Sequence, residues 1–171
     1  MGQGDVRPGV TGWVGATIAV VAISGSACSA KSKHPENPVF PAWADSEMRR
    51  AGLDKRFEVH RKVDPVYQIG DFDGDSQLDF ATLVRDRSSA KTGVLILHRA
   101  GGGAHILGAG HQFGNGGDDW SWLGAWRVVP PAQLPDSVSS SRDALLVEKP
   151  ESAGGLLVWK GSEYEWIQWG D

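Results

Sequence analysis

The chain has 171 residues, with 17 basic and 21 acidic side chains, one cysteine and eight tryptophans. That length fits one domain with at most a tail, and a single cysteine excludes an intrachain disulfide framework or a paired-cysteine metal site. A net charge of −4 without a long basic run argues against a nucleic-acid partner, and 40% apolar residues suffice for a core, which excludes global disorder.

In chain order, residues 12–27 carry no charge and pass through Trp13, Val14, Ile18, Val20, Val21 and Ile23 into Ser24-Gly25-Ser26-Ala27-Cys28. A charge-free run of this length ending in small side chains predicts a signal peptide over 1–27. It falls short of the about 20 apolar residues that a membrane-spanning helix needs. Small residues leading into the one cysteine resemble the lipobox of bacterial lipoproteins. Ser26 and Ala27 match that pattern; Gly25 stands where the family has an aliphatic residue. The resemblance implies lipidation of Cys28 and a membrane partner reached through that lipid, in an exported protein of the cell envelope. Soluble secretion or a periplasmic location after ordinary cleavage remains open, as does an uncleaved anchor. Residues 28–41 hold Pro35, Pro38 and Pro41 among polar side chains and read as an extended tether.

The domain is expected over 42–171. A helix is expected at 42–51, after Pro41 and before Gly52, with Trp43 and Met48 facing inward. From Phe57 the period becomes two. Strands are expected at 57–61, 66–69, 78–84, 94–98, 105–107, 120–129, 144–147, 156–160 and 163–168, and Gly161-Ser162 has the form of a two-residue hairpin loop. Without strict alternation of strands and helices, the prediction is a mainly β, antiparallel domain with one short N-terminal helix: a meander, a sandwich or a partial barrel.

Between the second and third strands lies an acidic loop, 70–80: Gly-Asp-Phe-Asp-Gly-Asp-Ser-Gln-Leu-Asp-Phe. Asp71, Asp73, Asp75 and Asp79 fall at relative positions 1, 3, 5 and 9. Four carboxylates this close repel one another unless a cation sits among them. Oxygen donors at 1, 3 and 5, the backbone carbonyl of Gln77 at 7 and a carboxylate at 9 suit calcium. The loop resembles the calcium loop of FG-GAP and VCBS-type β repeats through Ile69-Gly70-Asp71-Phe72-Asp73-Gly74-Asp75 and Leu78-Asp79-Phe80-Ala81. Ser76 replaces the family's glycine at a position that tends to need a left-handed backbone, at a cost of roughly 1–2 kcal/mol. The resemblance covers about 20 residues, and one loop does not imply the family's multi-bladed propeller. An EF-hand or dockerin loop would continue into a helix, whereas alternation from Leu78 to Val84 favours a strand, and Thr82 occupies the position of the twelfth-residue glutamate. A phosphatase of the haloacid-dehalogenase type would need a threonine where Asp75 stands. A solvated acidic turn without an ion is the remaining alternative. A bound ion would stabilise the folded state by mass action, so its expected role is a structural staple.

Trp120, Trp122 and Trp126 share parity in the strand expected at 120–129, and Trp159, Trp166 and Trp169 fall in the last hairpin. They pack in a core or form an exposed aromatic face. The glycine-rich stretch 108–117 reads as a mobile loop at the rim of such a face, and the five histidines show no metal-ligand spacing. Charge divides along the chain: eight basic and five acidic residues over 31–62, eight and fifteen over 63–171. The expected function is that of an exported calcium-binding module that binds a protein or an envelope polymer without catalysis. An inhibitor or immunity protein against an envelope enzyme, and a calcium-dependent hydrolase, are the alternatives.

Overall fold

The computed structural model describes residues 1–3, 9 and 39–170. Most of the expected signal peptide, Cys28 and most of the tether lie outside the described residues. Among those described, no helix is long and apolar enough to cross a membrane.

Helix α1 (Ala42–Arg50) starts after Pro41, with Asp45 in its first turn and Arg49 and Arg50 in its last, charges that complement the helix dipole. Gly52 ends it in the left-handed conformation, φ 68°, which glycine adopts without steric cost, and a single turn, α2 (Leu53–Arg56), follows. Nine strands come next: β1 (Phe57–Val59), β2 (Tyr67–Gly70), β3 (Asp79–Asp86), β4 (Thr92–His98), β5 (Gly103–Gly108), β6 (Ala125–Val129), β7 (Ala144–Glu148), β8 (Gly154–Trp159) and β9 (Tyr164–Trp169). All pairings between them are antiparallel. The first sheet runs β1-β3-β4-β5, with β2 beside β1 along the same edge of β3; the second is the meander β6-β7-β8-β9. Both sheets are open, not closed into a barrel, and they share one buried core as the two layers of a sandwich.

Period-two burial explains the layers. On β3 and β4, Ala81, Leu83, Val94 and Ile96 point toward the second sheet and meet Leu145, Val147 and Leu157. Their neighbours Phe80, Val84, Leu95 and Leu97 face the other way and pack under α1 with Ala44 and Met48. Phe40 from the end of the tether joins this layer, 5.0 Å from the Phe80 ring, so ordered packing begins before residue 42. The far side of the second sheet buries Ala144, Leu146, Leu156 and Val158 under Val138 and Leu134 of the β6–β7 connection. Each such aliphatic side chain removed from water contributes roughly 1.5–3 kcal/mol.

The strand expected at 120–129 is shorter than its sequence suggests. Trp120 to Leu123 form a turn, closed by Leu123 N–H donating to the Trp120 carbonyl at 3.0 Å and held by Asp119, which accepts from Ser121 N–H at 3.1 Å. Pairing starts only at Ala125. Trp120 and Trp122 therefore belong to a loop, and their shared parity with Trp126 does not place them on one strand face.

Candidate metal centre and aromatic pocket

The acidic loop occupies one end of the sandwich, where β2 hands the chain to β3. Its conformation comes from side chains accepting backbone N–H groups a few residues on, the local bonding that short acidic residues favour. The Asp71 carboxylate accepts from Gly74 N–H at 2.8 Å and Ser76 N–H at 3.1 Å; Asp73 accepts from Asp75 N–H at 3.1 Å; Asp75 accepts from Gln77 N–H at 2.7 Å. Ser76 adopts φ 68°, the left-handed backbone expected at that position. Gly74, at φ 82°, lies under Arg142, whose Cγ would be 2.7 Å from any added Cβ.

Asp71, Asp73 and Asp75 bring one carboxylate oxygen each to within 4.8 Å of the others. This set, all hard oxygen, fits calcium. Gln77 is exposed at the loop's edge, with its amide Nε2 3.4 Å from Asp75 Oδ2. Asp79 departs from the expected arrangement. It is fully buried and turns away from the mouth, accepting from Phe72 N–H at 2.9 Å, Asp73 N–H at 3.2 Å and Arg99 N–H at 2.8 Å. Burial pushes its carboxyl up to about 6; the Arg99 N–H opposes this and the nearby Asp73 charge adds to it. Asp79 thus pins the loop to the end of β4, and its nearest potential co-ligands are Asp73 and His98.

Spacing along the chain did not mark His98 as part of this site. It sits on β4 at the parity of Val94 and Ile96, facing the second sheet. There it is edge-on to Trp159, 4.8 Å between centroids, and 4.6 Å from the His105 ring. Its Nε2 is 2.7 Å from Tyr164 Oη. Burial, then the His105 charge, lowers the basicity of His98, against the pull of Asp73 and Asp75. Burial also raises the Tyr164 phenol. Burial thus disfavours charge on the imidazole, the phenol and the Asp79 carboxyl alike. The one readable signal was the register: Phe80 pairs with Leu97, so Asp79 and His98 are the next opposed positions.

The six tryptophans of the expected aromatic face divide. Trp120, Trp126 and Trp159 are core residues, each at most 9% exposed. Trp126 reaches across the sandwich to donate Nε1–H to the Pro65 carbonyl at 2.7 Å. Trp169 packs against the layer outside the second sheet. Trp122 and Trp166 are half-buried and cross at 76° with centroids 6.3 Å apart. With Asn115, Gln168, Lys149, Ser152, Ala153 and Gly154 they line a pocket of about 270 Å³. Asn115 donates to Gln168 Oε1 at 2.9 Å, and both residues are exposed.

The glycines flanking this pocket make room for indoles. A Cβ on Gly114 would lie 2.2 Å from Trp166 Cβ, one on Gly155 2.2 Å from the Trp166 ring, and one on Gly116 2.7 Å from Trp120 Nε1. The 108–117 stretch supplies Asn115 to the rim, and its glycines are there for close approach. Asp118 and Asp119 have structural partners: Asp118 pairs with Lys91, and Asp119 accepts from the backbone and hydroxyl of Thr92.

No family model, curated protein or solved structure matches the chain. The likeness of the acidic loop to FG-GAP and VCBS-type loops thus rests on its own residues.

Proposed function

We propose that this is an exported envelope protein, lipid-anchored through Cys28, that binds an envelope polymer without catalysis and is braced by calcium at Asp71, Asp73 and Asp75. The observation that carries the binding reading is the Trp122–Trp166 pocket. Two crossed indoles offer flat apolar faces to a sugar ring, and Asn115, Gln168, Ser152 and Lys149 offer the donors and acceptors that its hydroxyls require. The lining holds no carboxylate or imidazole to act as general acid or base, which favours binding over hydrolysis. The bracing reading draws on the three converging carboxylates and on the contact of the loop with Arg142 and Asp143, which precede β7 of the opposite sheet.

Titration of the chain with solubilised cell-wall glycan, followed by tryptophan fluorescence, tests the binding reading. Saturable quenching that Trp122→Ala abolishes is expected; no quenching would overturn it. For calcium, the melting temperature of chelator-treated protein should rise on adding the ion, and Asp71→Ala should cancel the rise. For the anchor, Cys28→Ser should release the protein from membranes.

A further inference from the structure

Behind the exposed mouth of the acidic loop lies a second donor set. Asp73, Asp79 and His98 each place one ligand atom within 4.8 Å of the other two. What distinguishes this set from an ordinary acidic cluster is the histidine. The His98 side chain is entirely out of solvent, and its Nδ1 is buried with no hydrogen-bond partner. Asp73 Oδ2 lies 3.6 Å from that nitrogen, beyond hydrogen-bond reach. An unpaired buried polar atom costs on the order of 1–3 kcal/mol, so a nitrogen left this way beside the buried Asp79 and the partly exposed Asp73 calls for an explanation. The spacing supplies one: two ligands each about 2.1 Å from a tetrahedral ion are about 3.4 Å apart.

We infer that Asp73, Asp79 and His98 Nδ1 form a site for a divalent transition ion of the zinc class, separate from the calcium mouth at Asp71 and Asp75. This goes beyond the calcium reading and shares only Asp73 with it. Calcium takes oxygen donors, whereas an imidazole with two carboxylates is a zinc donor set. Tyr164 stands at Nε2, where accepting its N–H would leave the Nδ1 lone pair directed at the acids and hold the ring in place. The three backbone N–H groups on the Asp79 carboxylate fix its orientation in the same way.

The test uses the full chain in a Cys28→Ser background, which removes its one thiol, treated with chelator and then saturated with calcium. Added zinc chloride should raise the melting temperature further, and long-range proton–nitrogen spectra should show the His98 Nδ1 resonance shifting to its metal-bound position. His98→Gln should weaken zinc binding at least about tenfold. Asp71→Asn and Asp75→Asn should lose the calcium response and keep the zinc response, so failure of one site is read separately from failure of the other. A zinc response undiminished by His98→Gln, or no zinc response at all, would overturn the inference. Should His98→Gln fail to fold, the Nδ1 resonance of the intact histidine decides: unmoved at saturating zinc, it overturns the site.

Discussion

Asp71 and Asp143 hold each other by two hydrogen bonds: Asp143 N–H donates to the Asp71 carbonyl at 3.0 Å, and Asp71 N–H donates to Asp143 Oδ2 at 2.9 Å. One residue opens the acidic loop of the first sheet; the other precedes β7 of the second. The pair ties the expected ion loop to the opposite sheet, and Gly70 makes it possible, because a Cβ there would meet Asp143 Oδ2 at 3.1 Å and the Phe72 ring at 2.9 Å. Asp143→Ala should lower stability by about 1.5–3 kcal/mol, the scale of a hydrogen bond to a charged group. Asp143→Asn, which keeps an acceptor, should lose less. Urea unfolding of the two variants checks this, and equal losses would show that the tie does not depend on the acceptor.

Ser76 carries a left-handed backbone, φ 68°, a conformation that favours glycine. Relief of the strain should gain roughly 1–2 kcal/mol, and the greater freedom of glycine in the unfolded chain should cost roughly 0.5–1 kcal/mol. The first effect is larger, so Ser76→Gly is expected to stabilise the protein by about 1 kcal/mol or less. Calcium binding should tighten alongside, since less strain opposes the loop conformation. A destabilised Ser76→Gly protein would mean that the serine side chain makes a compensating interaction.

Asp86 closes the β3–β4 turn. Its carboxylate accepts from the Ser88 hydroxyl, from Ser89 N–H at 3.0 Å, from Arg56 Nε at 3.1 Å and from Ser88 N–H at 2.9 Å. The Ser88 hydroxyl, followed by the Ser89 N–H and Arg56, holds the carboxyl far below the usual carboxylate range. In the unfolded chain it titrates near about 3.9. Above that pH both states are ionised and the full stabilisation is present. Below it the unfolded chain takes up the proton first, so stability falls as pH drops. Urea midpoints measured from pH 6 downward should decline below about pH 4, and Asp86→Asn should flatten that part of the decline. An Asp86→Asn profile parallel to that of the unsubstituted protein would remove Asp86 as its source.

Much of the fold was legible because strand period and turn chemistry agree. Leu83 and Val84 alternate between two buried faces, and Gly161, at φ 95°, makes the hairpin turn that its sequence signals, with Lys160 N–H donating to the Glu163 carbonyl at 2.9 Å. The start of β6 was hidden because period two cannot tell a strand from a turn stapled by Asp119, whose grip on Thr92 spans 27 residues. The loop's donors could be read from spacing since they are neighbours in the chain. Asp79's inward turn could not, because it depends on the Arg99 N–H across the sheet. His98 was likewise out of reach: what makes it notable is an atom without a partner, and that exists only once β3, β4 and β9 have come together.

Trp120 and Trp122 lie two residues apart with ring centroids 5.8 Å apart, yet they have different work. Trp120 is buried, donates Nε1–H to the Gly117 carbonyl at 3.1 Å and its backbone N–H to the Thr92 carbonyl at 2.9 Å, and sits where a Cβ on Gly108 or Gly116 would collide with it. Trp120→Ala removes a core side chain and should cost about 3–5 kcal/mol. Trp122 is half-buried, donates to the Gly116 carbonyl at 3.0 Å and spends its other face on the pocket. Trp122→Ala should cost about 1–2 kcal/mol, in proportion to its smaller buried area, while eliminating glycan binding. Melting curves and fluorescence titrations on the two variants separate the roles. Equal melting losses, or glycan binding that survives Trp122→Ala, would contradict the division between a packing indole and a binding one.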